Sequence, residues 1–190
     1  MYKKNTAAIA AITMLIAGIA HAGDGDRGQF QLTPYVGHAQ VRIDGQYLEF
    51  GDSETFDQWI AGISAGYRAP FGLVAELGTA ASGEPMFGWA VGGEVRETYV
   101  AVGWDFELGR GWNITPKLGF TNWELQGGDL ENVVDGSGQL RDRIDGEDAY
   151  LEVAVTKHLN SHVGLGFSLR HAEVEFGQVS SAAFRFVWSL

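Results

Sequence analysis

The chain has 190 residues, room for one domain, and no cysteine, so neither disulfides nor thiol chemistry contribute to it. Its formal net charge is -11 at pH 7; a chain this acidic offers no basic face to a phosphate backbone, which excludes nucleic acid as a partner. Glycine is abundant, 27 residues, and aromatics make up 12%, so the arrangement of residues has to decide the class.

At the N-terminus, Tyr2, Lys3 and Lys4 form a short basic start, followed by an apolar stretch from Ala7 to Ala20 and then Ala20-His21-Ala22. A basic start, an apolar middle and a small-x-small end make up a secretory signal peptide. The apolar stretch is shorter than the ~20 residues that span a bilayer as a helix, and no basic stop follows it. The expected division is a cleaved signal peptide, 1–22, and one domain, 23–190. Cleavage removes Lys3 and Lys4, leaving the mature chain more acidic still.

Beyond Gln29 the sequence follows a period of two, which predicts strands. Eight segments are expected, at 29–43, 57–69, 72–80, 95–108, 111–125, 148–159, 162–174 and 180–190. In the second, Trp59, Ala61, Ile63, Ala65 and Tyr67 alternate with Gln58, Gly62, Ser64, Gly66 and Arg68, interrupted by Ile60. In the seventh, Val163, Leu165, Phe167 and Leu169 alternate with Gly164, Gly166, Ser168 and Arg170. The connections alternate between tight turns (Ala69–Gly72, Leu108–Gly111, Leu159–His162) and longer polar segments, the longest being Gln126–Asp148. Short turns at one end and long loops at the other predict an all-β fold: an eight-stranded antiparallel transmembrane β-barrel in up-and-down meander order. In the first segment the apolar face switches from Phe30, Leu32 and Val36 to Ala39, Val41 and Ile43, as a bulge would cause.

One face of the segments is large and apolar, with aromatics near the ends: Trp59 and Tyr67, Trp104 and Phe106, Trp112 and Phe120, Phe186 and Trp188. This is the pattern of a lipid-facing band with its girdles. The opposite face is small and polar and carries isolated charges: Arg68, Glu76, Asp105, Lys117, Glu152, Arg170 and Arg185. Burying an unpaired charge costs several kcal/mol. A salt-bridge network inside the lumen is therefore expected, with Glu76 or Glu152 meeting Lys117, Arg170 or Arg185. A short internal repeat, Leu32-Thr33-Pro34-Tyr35-Val36-Gly37 against Ile114-Thr115-Pro116-Lys117-Leu118-Gly119, points to duplication of four strands.

The chain resembles the small outer-membrane barrels of the OmpA/OmpX/Ail type over its whole mature length. Its ending, Phe184-Arg185-Phe186-Val187-Trp188-Ser189-Leu190, resembles the C-terminal signal read by the barrel-assembly machinery, with Phe184, Phe186, Trp188 and Leu190 as the alternating apolar set. It departs from the commonest form by ending in Leu rather than Phe. The resemblance implies the outer membrane of a Gram-negative bacterium, with outer-membrane lipid and lipopolysaccharide as surroundings and an extracellular ligand at the loops. It implies no cofactor.

Three places are candidates for chemistry. His171 in Arg170-His171-Ala172-Glu173 faces outward by parity, as the histidine of PagL-type lipid A deacylases does. The His-x-Ser-Asn pattern of that family is absent, however, with Glu173 at the serine position, and Ser168 faces the lumen by parity. No hydroxyl is expected within reach of His171, and an interfacial histidine is the simpler reading. The acidic segments hold Asp44, Glu49, Asp52 and Glu54, then Asp129, Glu131, Asp135, Asp142, Asp145, Glu147 and Asp148. They lack the spacing of a calcium loop, and no metal site is assigned. The lumen charges are read as structural, since an eight-stranded barrel is just wide enough for its side chains to fill. The favoured function is a non-enzymatic barrel with surface loops; a lipid A deacylase and a narrow channel are the alternatives. A barrel of this kind should migrate differently on a gel of the outer-membrane fraction before and after heating. A soluble periplasmic protein, or one without that shift, would contradict the expectation.

Overall fold

The computed structural model describes residues 28–45, 52–83, 85–86, 90–91, 95–126, 143–174 and 177–190. The expected signal peptide, 1–22, lies outside them. Eight strands form the wall: β1 (Gln29–Ile43), β2 (Glu54–Arg68), β3 (Leu73–Gly83), β4 (Val95–Trp104, continued by Phe106–Gly109), β5 (Trp112–Gln126), β6 (Arg143–His158), β7 (Val163–Val174) and β8 (Gly177–Ser189). Each pairs antiparallel with the next, and β8 pairs back onto β1, closing the barrel. Pro85–Met86 and Ala90–Val91 form a small separate ladder between β3 and β4.

The tilt of the strands follows from the pairing. A row of cross-strand partners runs Phe30, Tyr67, Ala75, Val102, Leu118, Leu151, His171, Ser180 and Gln40. It returns to β1 ten residues above its start (Gln40 against Phe30). Ten residues of about 3.3 Å against eight strands of about 4.8 Å give a tilt of roughly 40°. Every strand therefore crosses a bilayer obliquely.

The three expected turns close the same end of the barrel. Gly72 N donates to Ala69 O at 3.0 Å. Gly109, Arg110 and Gly111 all have positive φ, 87°, 53° and 76°, which two glycines make tolerable. Asn160 Oδ1 accepts from His162 N and Val163 N at 2.8 and 2.9 Å, a side chain bonding the backbone two and three residues on.

The opposite, loop end departs from expectation in four ways. First, β7 and β8 are joined by only two residues, with Val174 paired to Gly177. A long segment was expected there because Gln178, Ser180 and Ser181 are polar, yet they continue the ladder, so three long connections remain instead of four. Second, β6 begins at Arg143, not 148, and its early residues pair with β5 as far as Gln126. Third, β1 has no bulge: its pairing to β2 runs unbroken from Gln29↔Arg68 to Ile43↔Glu54. The apolar residues change face because the lumen changes character. Ala39, Val41 and Ile43 point inward, 1–2% exposed. Fourth, the lumen is apolar towards the loop end, where Val41, Ile43, Val95, Trp123, Ala172 and Val174 pack together.

Inward aromatics sit opposite glycines. Tyr35 pairs with Gly62, Tyr99 with Gly78, Tyr150 with Gly119 and Trp123 with Gly146. In all four places a Cβ on the glycine would collide with the neighbouring ring. Glycine is thus the space into which a ring folds across the lumen. Gly119→Val should lower the unfolding free energy in lipid vesicles by about 1–3 kcal/mol, as overpacking does. Urea titration followed by gel shift measures this, and combining it with Tyr150→Ala should cost less than the sum of the two single changes.

Candidate functional site in the lumen and on the outer wall

All seven charges expected in the lumen point into it, but they form three layers rather than one network. The central layer is a ring. Lys117 Nζ lies 2.6 Å from Glu76 Oε2 and 2.8 Å from Glu152 Oε1. Arg185 reaches Glu152 Oε1 at 2.7 Å and Glu76 Oε2 at 3.2 Å. Each cation touches both carboxylates, the ring is neutral, and all four residues are buried, at 5–8% exposed. They come from β3, β5, β6 and β8, so their contacts span the barrel. Tyr99 Oη donates to Glu76 Oε1 at 3.2 Å, adding a donor from β4.

Nearer the turn end, Arg68 Nε pairs with Asp105 Oδ2 at 2.8 Å. Asn113 Nδ2 and Thr115 Oγ1 donate to the same carboxylate at 2.6 and 2.7 Å. Asp105 interrupts β4 between Gly103, which faces Lys117, and Phe106, which faces Ile114. The space between this layer and the ring is about 30 Å³, room for one or two waters.

Towards the loop end Arg170 pairs with neither Glu76 nor Glu152. Its Nη1 meets Glu97 Oε1 at 2.5 Å, and Thr121 Oγ1 donates to Glu97 Oε2 at 3.2 Å. The guanidinium lies over the rings of Tyr150 and Tyr99, 3.6 and 4.7 Å from their centroids, a cation–π arrangement. Glu97 was not among the expected lumen charges, although a signal was available. Four cations stood against three carboxylates, and Glu97 shares the parity of Asp105 on the same strand. Beyond this layer stands the apolar cluster, where Trp123 Nε1 donates to Asp148 Oδ2 at 2.7 Å.

The outer wall is apolar from the turn end upward. Phe184, Phe186, Trp188 and Leu190 form one exposed column, 40–71% exposed, and Leu190 N donates to Phe30 O at 2.8 Å. Exposed Arg42, Arg96, Asn122, Glu147, Glu173 and Gln178 make a polar collar nearer the loop end. His171 stands at its lower edge. Ser168 is buried on the lumen side, but a different hydroxyl meets the histidine: Ser180 Oγ on β8 lies 2.8 Å from His171 Nδ1. Parity along one strand did not show this contact, because it is set by the register between two strands. No acidic side chain bonds the ring's other nitrogen among the described residues. Of the acidic segments, Glu49, Asp129, Glu131, Asp135 and Asp142 lie outside the described residues, and no metal-holding group of three or more appears among those described.

The eight-stranded barrel has counterparts among solved structures. Neisserial surface protein A has a TM-score of 0.54 at 10% identity, over 87% of this chain and 100% of that one. The N-terminal β-barrel domain of Pseudomonas aeruginosa OprF has 0.56 at 11%, over 86% and 100%. Yersinia pestis Ail, the attachment invasion locus protein, in complex with the heparin analogue sucrose octasulfate, has 0.52 at 10%, over 85% and 99%. The fold is that of the small eight-stranded outer-membrane barrels. No protein-family model and no curated protein matches the sequence.

Removing one member of the central ring strands the charges that remain. Lys117→Met should cost about 3–5 kcal/mol, read as a lower urea midpoint in vesicles. Replacing all four ring residues by apolar ones of similar volume should recover most of that loss. A single substitution without effect would show that the ring is solvated.

Proposed function

We propose that the chain is a non-enzymatic outer-membrane protein of a Gram-negative bacterium. Its barrel anchors the loop end at the cell surface, where it serves envelope integrity, adhesion or interaction with a host or the environment. The observation that carries this reading is the filled lumen. Three charged layers and an apolar cluster stand in series, and the space of about 30 Å³ between the first two holds only a water or two. Such an interior supports a wall rather than passing solutes. The exposed column of Phe184, Phe186, Trp188 and Leu190 fits recognition by the barrel-assembly machinery during biogenesis, after export directed by 1–22.

The partner at the loop end follows from charge. Ail is solved with a polysulfated heparin analogue, a ligand that calls for a basic face. Here Gln126–Asp148 carries seven acidic residues against Arg141 and Arg143. A cationic partner, or an anionic one bridged by divalent cations, suits that segment better.

One observation favours a second reading, a lipid A deacylase: the His171–Ser180 contact is short enough for base and nucleophile. It lacks an acidic residue to orient the imidazole. In planar bilayers the purified protein should give no steady conductance. Steps that vanish on substituting Lys117 or Arg185 would replace this reading with a narrow channel. Lipid A from cells with and without the protein should show the same acylation by mass spectrometry, and a lost acyl chain in its presence would establish the deacylase.

A further inference from the structure

The outer wall carries a trough of about 530 Å³ over β8, within the range of about 300–1,000 Å³ typical of small-molecule sites. Its floor is made by the small outward side chains Ser180 and Ala182. One bank is His38, Gln40 and Asp57 on β1 and β2; the other is Leu169 and His171 on β7, with Leu151 and Val153 behind them on β6. The next outward residue below Ala182 on β8 is the larger, exposed Phe184.

Two features of the trough point to its occupant. The first is depth. Gln40 lies ten residues above Phe30 on β1, and at about 3.3 Å per residue and a tilt of roughly 40° this is about 25 Å, the height of a barrel's apolar band. The trough therefore meets the boundary between hydrocarbon and headgroups. Because of the tilt, the top of the apolar face climbs from Val36 on β1, through Ala182 and Leu169, to Leu151 and Ala149 on β6. The row Asp57, Gln40, Ser180, His171, Leu151 accordingly runs from the polar collar down into the apolar band.

The second feature is the chemistry of the polar end. Gln40 Nε2 donates to Asp57 Oδ1 at 3.3 Å, His38 Nε2 lies 4.0 Å from the same oxygen, and Ser180 faces His171. An amide, a carboxylate, a hydroxyl and two imidazoles offer donors and acceptors together. The lining has no outward lysine or arginine of the kind that holds a phosphate. This suits hydroxyls and amides, as on an acylated sugar, and the leucines beyond suit its fatty chain.

We infer that this trough binds an acyl chain of the outer leaflet's lipopolysaccharide, with the acylated sugar held by His38, Gln40, Asp57 and the His171–Ser180 pair. The inference rests on the outer-membrane reading above. Native mass spectrometry of the full mature protein in detergent tests it, with lipid A as one probe and phosphatidylethanolamine as the other. Lipid A adducts are expected on the wild type and few with phosphatidylethanolamine. Ala182→Trp, which fills the trough from the bilayer side, should weaken lipid A binding at least tenfold. Gln40→Ala combined with His171→Ala, which leaves the trough open, should weaken it several-fold. Equal adducts on wild type and Ala182→Trp, no effect of the polar double substitution, or equal retention of phosphatidylethanolamine would each overturn the site. If Ala182→Trp does not fold, the double substitution decides. Heat-modifiable migration is followed in parallel: its absence in the wild type defeats the membrane reading, whereas a folded wild type without lipid A adducts defeats only the trough.

Discussion

Glu76, Lys117, Glu152 and Arg185 reach into the lumen from four different strands and form a closed ring of alternating charge. Closing eight strands leaves an interior about as wide as its side chains, with little water to solvate an ion. Each charge there must be neutralised by another side chain, and because neighbouring strands present their inward residues at fixed heights, the partners must also be level. The pairing of the wall secures this. Lys117 and Glu152 are direct cross-strand partners, while Glu76 and Arg185 arrive from strands farther round. Breaking the ring is costly, although the ring itself adds little net stability over well-packed apolar side chains.

Around that ring the lumen is graded. Towards the turn end it is polar, with Asp105 held by Arg68, Asn113 and Thr115. Towards the loop end it passes through Arg170 and its tyrosines to valine, isoleucine and tryptophan. The rings fit because each lies across a glycine on the next strand, so four of the chain's glycines and four of its aromatics share one geometric cause. The same register sets the outer surface. Small residues on β8, between larger ones on either side, leave the trough at which His171 and Ser180 meet.

Much of this was legible in the sequence because a strand has a period of two. Parity along single strands assigned Trp59, Phe120, Phe186 and Trp188 to the outside and all seven expected charges to the inside. It also located the three tight turns, whose glycine, proline and asparagine carry local instructions. What remained hidden depends on how strands face one another. Glu97 is the partner of Arg170 only once β4 and β7 meet across the lumen, and Ser180 meets His171 only by the register of β7 with β8. The switch of Ala39, Val41 and Ile43 looked like a bulge because a uniformly polar lumen was assumed. The last connection looked long because polar Gln178, Ser180 and Ser181 form strand above the apolar band.

The division of lumen charge between the two halves of the barrel has a consequence for how the chain can pair. On β1–β4 and the residue that interrupts them stand Arg68, Glu76, Glu97 and Asp105, one positive against three negative, or -2. On β5–β8 the same three layers hold Lys117, Glu152, Arg170 and Arg185, three positive against one negative, or +2. The short repeat around Pro34 and Pro116 makes the halves alike in outline, yet they are electrostatic opposites. Two copies of the same half, brought together from different molecules during assembly, would enclose a net charge of four in a space with little water. Only unlike halves bring the three charged layers to neutrality, so the lumen discriminates against barrels closed from two copies of one half.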